Sequence, residues 1–260
     1  MTNISNDVIE VSASRSDDQE QSLAFSRRIA TEAIATALLL ATVVGSGIMG
    51  DRLSGGNVAI ALLANTIATG AGLVMLILAF GPISGAHMNP VVTMASAARR
   101  CMPWREVPGY IVAQVAGAVV GVATAHFMFG EPTFAFSEHA RAGASQLASE
   151  AVATFGLLAV IWGCLRSRAD AVPFAVGAYI TAAYWFTSST SFANPAVTLA
   201  RSLTHTFSGI RPMDVPGFIA AQVVGAAAAT ALFAWLEHTP RSASMQCDCA
   251  LSGNRNSAVK

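Results

Sequence analysis

Residues 53–98, 171–200 and 215–236 of this 260-residue chain contain no Asp, Glu, Lys or Arg. A soluble domain carries charge on about a quarter of its residues, so a 46-residue gap does not belong on a water-exposed surface. About 20 apolar residues in helical form cross a bilayer. The chain therefore reads as a polytopic, all-α membrane protein. Its 12% charged and 53% hydrophobic residues agree. A net charge of zero argues against nucleic acid as a partner, because no bulk field draws phosphate. Cys101, Cys164, Cys247 and Cys249 do not make a secreted disulfide framework.

Six spans are expected, near 25–50, 56–78, 107–130, 145–166, 171–189 and 215–237. The polar, acidic residues 1–24 read as a disordered N-terminal tail, and 238–260 as a C-terminal tail. Two charge-free runs exceed one span. Residues 53–98 as one helix would measure roughly 69 Å. Their surplus, 81–98, is rich in Gly, Pro, Ser, His and Asn, and the surplus of the second run, 187–200, is rich in Ser and Thr. Both read as re-entrant segments, since irregular backbone at membrane depth survives only in protein or along a cavity. With the N-terminus inside, eleven of the fifteen Lys and Arg fall on the cytoplasmic side and four outside. Both termini are then cytoplasmic.

The chain repeats itself. Glu32-Ala-Ile-Ala-Thr36 recurs as Glu150-Ala-Val-Ala-Thr154, Asn89-Pro-Val-Val-Thr93 as Asn194-Pro-Ala-Val-Thr198, and Pro108-Gly-Tyr-Ile-Val-Ala-Gln114 as Pro216-Gly-Phe-Ile-Ala-Ala-Gln222. Two units emerge, about 25–130 and 145–237. Each has three spans, so the second is inverted relative to the first. Such repeats place their site near the midplane, where they meet. Asn is a favoured N-cap and Pro a favoured first helical residue. Asn89-Pro90 and Asn194-Pro195 thus each open a short half-helix, the first to about Arg99 and the second to about Leu203. The two N-termini, each carrying roughly half a positive charge, face each other and repel cations. Asn amides that donate and loop carbonyls that accept suit a neutral, hydroxyl-bearing solute. Glu32 and Glu150, acidic within apolar spans, are functional candidates by position.

Ser84-Gly-Ala-His-Met-Asn-Pro-Val-Val-Thr93, Asn194-Pro-Ala196 and the twin Glu-x-x-x-Thr motifs resemble the aquaporin and aquaglyceroporin (major intrinsic protein) family over about residues 25–237. The resemblance implies an hourglass of six tilted helices and two half-helices, one pore per subunit, a homotetramer, and passive passage of small uncharged solutes with no enzymatic activity, cofactor or metal. It implies that Glu32 and Glu150, with His87, support the re-entrant loops. The first motif departs from the family by carrying Val91 where the second has Ala196. Val197 stands where the family has the filter arginine. Counting back from each Asn, the resemblance puts the other filter positions at Thr69, Ala182 and Ser191, a wide and weakly polar set. Arg201, one helical turn beyond Val197, becomes a displaced arginine in the outer vestibule. The combination looks like a bacterial, inner-membrane branch associated with arsenic resistance. Arsenite, methylated arsenicals and glycerol-like polyols are then the expected solutes; a generic water, glycerol, urea or ammonia channel and an ion-coupled transporter are the alternatives. Cys247-Asp-Cys249 reads as an incidental pair in a polar tail. Trp104, Trp162, Trp185 and Trp235 fall near span ends, as interfacial aromatics do.

Overall fold

The structure is a computed structural model; it describes residues 4–237, with side chains from Ala24 onward. The C-terminal tail, with Cys247 and Cys249, lies outside the described residues. Eight α-helices follow in order: α1 (Ile4–Leu53), α2 (Val58–Ser84), α3 (Pro90–Ala98), α4 (Val107–Phe129), α5 (Ala144–Ser167), α6 (Val172–Phe186), α7 (Pro195–Arg201) and α8 (Val215–Leu236). The described residues contain no strand.

Local chemistry sets the boundaries. Asn57 caps α2, its side chain accepting from the N–H groups of Ala59 at 3.0 Å and Ile60 at 3.3 Å. Gly85, at φ 89°, ends α2 in the left-handed conformation that costs glycine least. α4, α6 and α8 each open on Val-Pro, where a missing N–H is harmless. α3 and α7 begin as expected, on Pro90 and Pro195 behind Asn caps.

Among the described residues, five helical segments are long and apolar enough to cross a membrane: Ala24–Leu53, Val58–Ser84, Trp104–Phe129, Ala144–Ser167 and Pro212–Leu236. The sixth expected span is shorter. α6 has 15 residues, about 22 Å of helix, because the chain turns extended at Thr187 (φ −110°, ψ 138°). Conversely, α2 continues past residue 78, through Pro82, to Ser84, so the irregular part of the first loop shrinks to 85–89. α1 is helical from Ile4, whereas composition suggested a tail without regular structure up to residue 24.

The packing repeats as the sequence does. α1 lies against α2 and α4, α5 against α6 and α8, and the halves join where α2 meets α6 and α3 meets α7. Two glycines permit close helix–helix backbone approaches. A Cβ on Gly117 would sit 2.2 Å from the Ala33 carbonyl oxygen, and one on Gly225 would sit 2.2 Å from that of Ala151. No side chain fits, so the α1–α4 and α5–α8 backbones nearly touch. Ile34, Leu38, Leu63, Ile67, Val120, Val152 and Val224 face outward, as a lipid-facing surface requires. Glu32, Gln114, Glu150 and Gln222 are wholly buried. Trp104, Trp185 and Trp235 are exposed, but Trp162 is buried. Instead of meeting the interface it lies beneath the Arg99 guanidinium, 5.3 Å from its ring centre. Arg99 also ion-pairs with Glu237 at the end of α8.

Candidate functional site

Two loops of the same build meet inside this frame. Ala86 and Met88 have φ of 45° and 48°; Ser191 and Ala193, each 105 positions later, have 50° and 49°. Left-handed backbone costs a non-glycine residue roughly 1–2 kcal/mol, so these loops must be held. The twin glutamates hold them. Glu32 accepts from the N–H groups of His87 (2.9 Å) and Met88 (2.8 Å), from Ser84 Oγ (2.7 Å) and from Gln114 Nε2 (2.8 Å). Glu150 accepts from the N–H groups of Phe192 and Ala193, both at 2.9 Å, and from Gln222 Nε2 at 2.7 Å. Gln114 and Gln222 also donate to Thr93 and Thr198, whose hydroxyls donate to the Asn89 and Asn194 carbonyls. Every repeated motif of the sequence enters these two networks.

The Asn side chains tie one loop to the other. Asn89 Nδ2 donates to the Ala193 carbonyl at 2.8 Å, and Asn194 Nδ2 to the Met88 carbonyl at 2.7 Å. Each Oδ1 accepts from its own half-helix: Asn89 from Val91, Asn194 from Ala196 and Val197. One N–H of each amide remains, and both Asn residues line a cavity of about 130 Å³. Among the described residues the carbonyls of Gly85, Ala86 and His87, and of Thr190, Ser191 and Phe192, accept no backbone or side-chain hydrogen bond. One wall therefore offers acceptors and the two amides offer donors. Leu157, Ile161, Leu165, Val172, Val176 and Ile180 supply an apolar wall. His87 lines the cavity with Nδ1 at 3.1 Å from Thr93 Oγ1.

At the Arg201 end the lining includes Thr69, Ser191, Val197 and Arg201, four of the residues singled out from the sequence. Val91, by contrast, is buried in the apolar core and is not among the lining residues. Ala182 must be corrected. It is exposed on the far face of α6. The lining positions of that helix are Val172, Val176, Ile180 and Tyr184, a strict four-residue spacing with Ala182 out of phase. Counting back from Asn194 failed because α6 persists to Phe186 before the extended segment begins. Tyr184 occupies the place assigned to alanine, its hydroxyl 3.3 Å from Thr69 Oγ1. The lining at this end thus carries the Tyr184 hydroxyl beside those of Thr69 and Ser191 and is more polar than Thr69, Ala182 and Ser191 implied.

The sequence also gave no sign of Arg141. From the loop between the repeats it reaches inward, donating from Nε to the Gly209 carbonyl at 2.9 Å and from Nη1 to the Ser189 carbonyl at 3.1 Å. Its guanidinium lies 4.9 Å from the Phe192 ring centre, and that of Arg201 lies 3.5 Å from the same ring. Phe192 in turn meets Phe218 edge-on at 5.4 Å. Burial pulls Arg141 down to about 10, which leaves it protonated at neutral pH. Burial first, then the charges of Arg141 and Arg201, lowers His139 below the usual histidine value. His126, near the end of α4, is held between the Thr133 carbonyl (2.9 Å) and Thr204 Oγ1 (2.7 Å).

The chain is similar to known proteins. The profile of the major intrinsic protein family matches residues 19–186 and 165–258. The chain is 55% identical to aquaglyceroporin AqpS of Rhizobium meliloti (strain 1021), over 83% of its own length and 92% of that protein's. It is 32% identical to aquaporin NIP1-3 of Oryza sativa subsp. japonica, over 70% of this chain and 65% of that one. Among solved structures, the aquaglyceroporin from Plasmodium falciparum superposes with a TM-score of 0.64 at 20% identity, covering 82% of this chain and 95% of its own, a likeness of fold. Inverted repeats, paired Asn-Pro half-helices and these matches converge: the chain is a multi-pass membrane protein that belongs to the major intrinsic protein family.

Proposed function

We infer that the protein is a passive channel for small uncharged solutes, with glycerol-like polyols, arsenite and methylated arsenicals among them. The observation that carries this reading is the cavity itself, in which two Asn amides and a row of free carbonyls face an apolar wall. A trihydroxy solute exchanges hydrogen bonds with the polar side and sheds little of its apolar surface to water on the other. Val197, in place of a fixed guanidinium, favours solutes that carry methyl groups. The Tyr184–Thr69 pair works the other way, since its hydroxyls narrow the passage and favour water, glycerol or urea. In this reading the channel domain is 25–237, flanked by cytoplasmic tails. Arg201 faces the outside of a bacterial inner membrane, and four subunits each carry a pore.

The test is stopped-flow swelling of proteoliposomes, with glycerol, arsenite, a methylated arsenical and water compared without an ion gradient. Flux that needs an ion gradient would overturn the channel reading. Val197→Arg should slow methylated arsenicals most and water least. It also sets a second cation one turn, about 6 Å, from Arg201; at an effective dielectric near 20 their repulsion is about 3 kcal/mol. The Val197→Arg, Arg201→Val double variant removes that repulsion, and comparing it with Arg201→Val alone isolates the filter effect. Equal passage of methylated arsenicals through these two variants refutes a filter role for Val197.

A further inference from the structure

Arg201 is 2% exposed and Arg141 8%, yet among the described residues neither guanidinium pairs with a carboxylate. Buried charge of this kind calls for a counter-charge. Glu150 attracts both guanidinium groups through space but gives neither a hydrogen bond, because the carboxylate oxygens of this region are taken by other donors. Glu150 accepts from Phe192, Ala193 and Gln222. Asp214 accepts from the Arg141 backbone N–H at 2.8 Å and from Arg211 at 3.0 Å. Arg201 spends only Nε, on the Ser208 carbonyl, so both of its terminal nitrogens lack a protein partner while the residue lines the cavity. Arg141 spends Nε and Nη1 on neutral oxygens. The Phe192 ring lies close to both cations.

We propose that Arg201, with Arg141 adding charge from outside the cavity lining, forms a binding site for a small singly charged oxyanion at the mouth of the cavity, and that an anion seated there slows entry of neutral solutes from that side. A carboxylate, sulfonate or arsonate presents two oxygens at the spacing of a guanidinium edge, and the terminal nitrogens of Arg201 are such an edge. Arg141 adds charge without blocking the approach, because its own donors point to backbone carbonyls. The anion does not traverse the pore. It occupies the mouth, so its effect is saturable and belongs to one face of the membrane. The proposal rests on the cavity being the solute pathway.

The experiment measures glycerol influx into proteoliposomes with methanesulfonate outside, against chloride at equal ionic strength. Methanesulfonate stays charged and does not leak through lipid as a neutral acid. The expected result is saturable slowing by methanesulfonate beyond that of chloride. Arg201→Gln should raise the half-inhibitory concentration by about tenfold or more, the usual consequence of losing a hydrogen bond to a charged group. Arg201→Lys should restore inhibition only in part, since it keeps charge without the fork. Arg141→Gln should weaken inhibition while Arg201 remains. As a readout independent of flux, methanesulfonate should raise the Tm of the parent in detergent more than chloride does, and should not do so for Arg201→Gln. Glycerol flux equally insensitive to both anions, with equal Tm in both, overturns the anion site and leaves the channel intact. Absence of glycerol flux from a folded protein overturns the channel reading instead. Should Arg201→Gln fail to fold, the parent's Tm difference and the Arg141→Gln titration still decide the matter.

Discussion

Replacing Glu32 by Gln should unsettle the first loop while leaving the shape of its pocket almost unchanged. The carboxylate accepts four hydrogen bonds, two at each oxygen: Ser84 Oγ and the His87 N–H at Oε1, the Met88 N–H and Gln114 Nε2 at Oε2. An amide keeps one acceptor oxygen and turns the other position into a donor. With its oxygen toward Ser84 and His87, the new NH₂ points at Met88 and Gln114. Gln114 can flip, since its Oε1 is buried without a partner, and it then accepts from the new amide. The flip gives up the Gln114 bond to Thr93. The Met88 N–H has no such escape. One buried N–H left unmet costs about 1–3 kcal/mol, and losing the charge on the remaining bonds adds about 1–2 kcal/mol, for a total near 2–5 kcal/mol. Met88, left-handed at φ 48°, loses what held it, and the carbonyls beside it lose their alignment. Tm in detergent should fall by roughly 4–20 °C, and glycerol flux per folded protein should fall with it. Glu150→Gln should behave alike, because Phe192 and Ala193 stand where His87 and Met88 do. A Glu32→Gln protein with parental Tm and parental flux would refute the claim that the carboxylate holds the loop.

Two further outcomes follow from the mouth of the cavity. Tyr184→Ala should speed bulky methylated solutes several-fold relative to water, whereas Ala182→Val should leave every solute unchanged; stopped-flow rates giving the opposite pattern would restore Ala182 to the filter. His139 has a folded-state pKa below its unfolded value of about 6.5, so above that pH both states are neutral and the group contributes nothing. Below it the unfolded chain takes up a proton that the folded chain resists, and stability falls as pH falls. His139→Gln should therefore shrink the drop in Tm between about pH 7.5 and about pH 5.5. An undiminished drop would show that burial and the neighbouring arginine charges do not lower His139.

The membrane class, the two-fold repeat and the half-helix starts were legible in the sequence, because each rests on short-range chemistry. A charge-free run cannot lie in water, and Asn-Pro both caps and opens a helix wherever it falls. The glutamates and glutamines were legible as pairs, since a repeated fold needs the same donors and acceptors twice. The filter was not. Its position on α6 depends on where that helix stops, and a two-residue shift in the end of a 15-residue helix rotates the chosen side chain from the cavity to the outer face. Arg141 was less visible still. It sits in a loop with no periodicity and bonds to Ser189 and Gly209, 48 and 68 positions away. Only the packing of that loop across the second half-helix brings it to Phe192 and Arg201. Local sequence sets which groups must be buried and capped; which distant side chain shares their space is decided by tertiary contact, because nothing in the backbone near Arg141 encodes the distance to its partners.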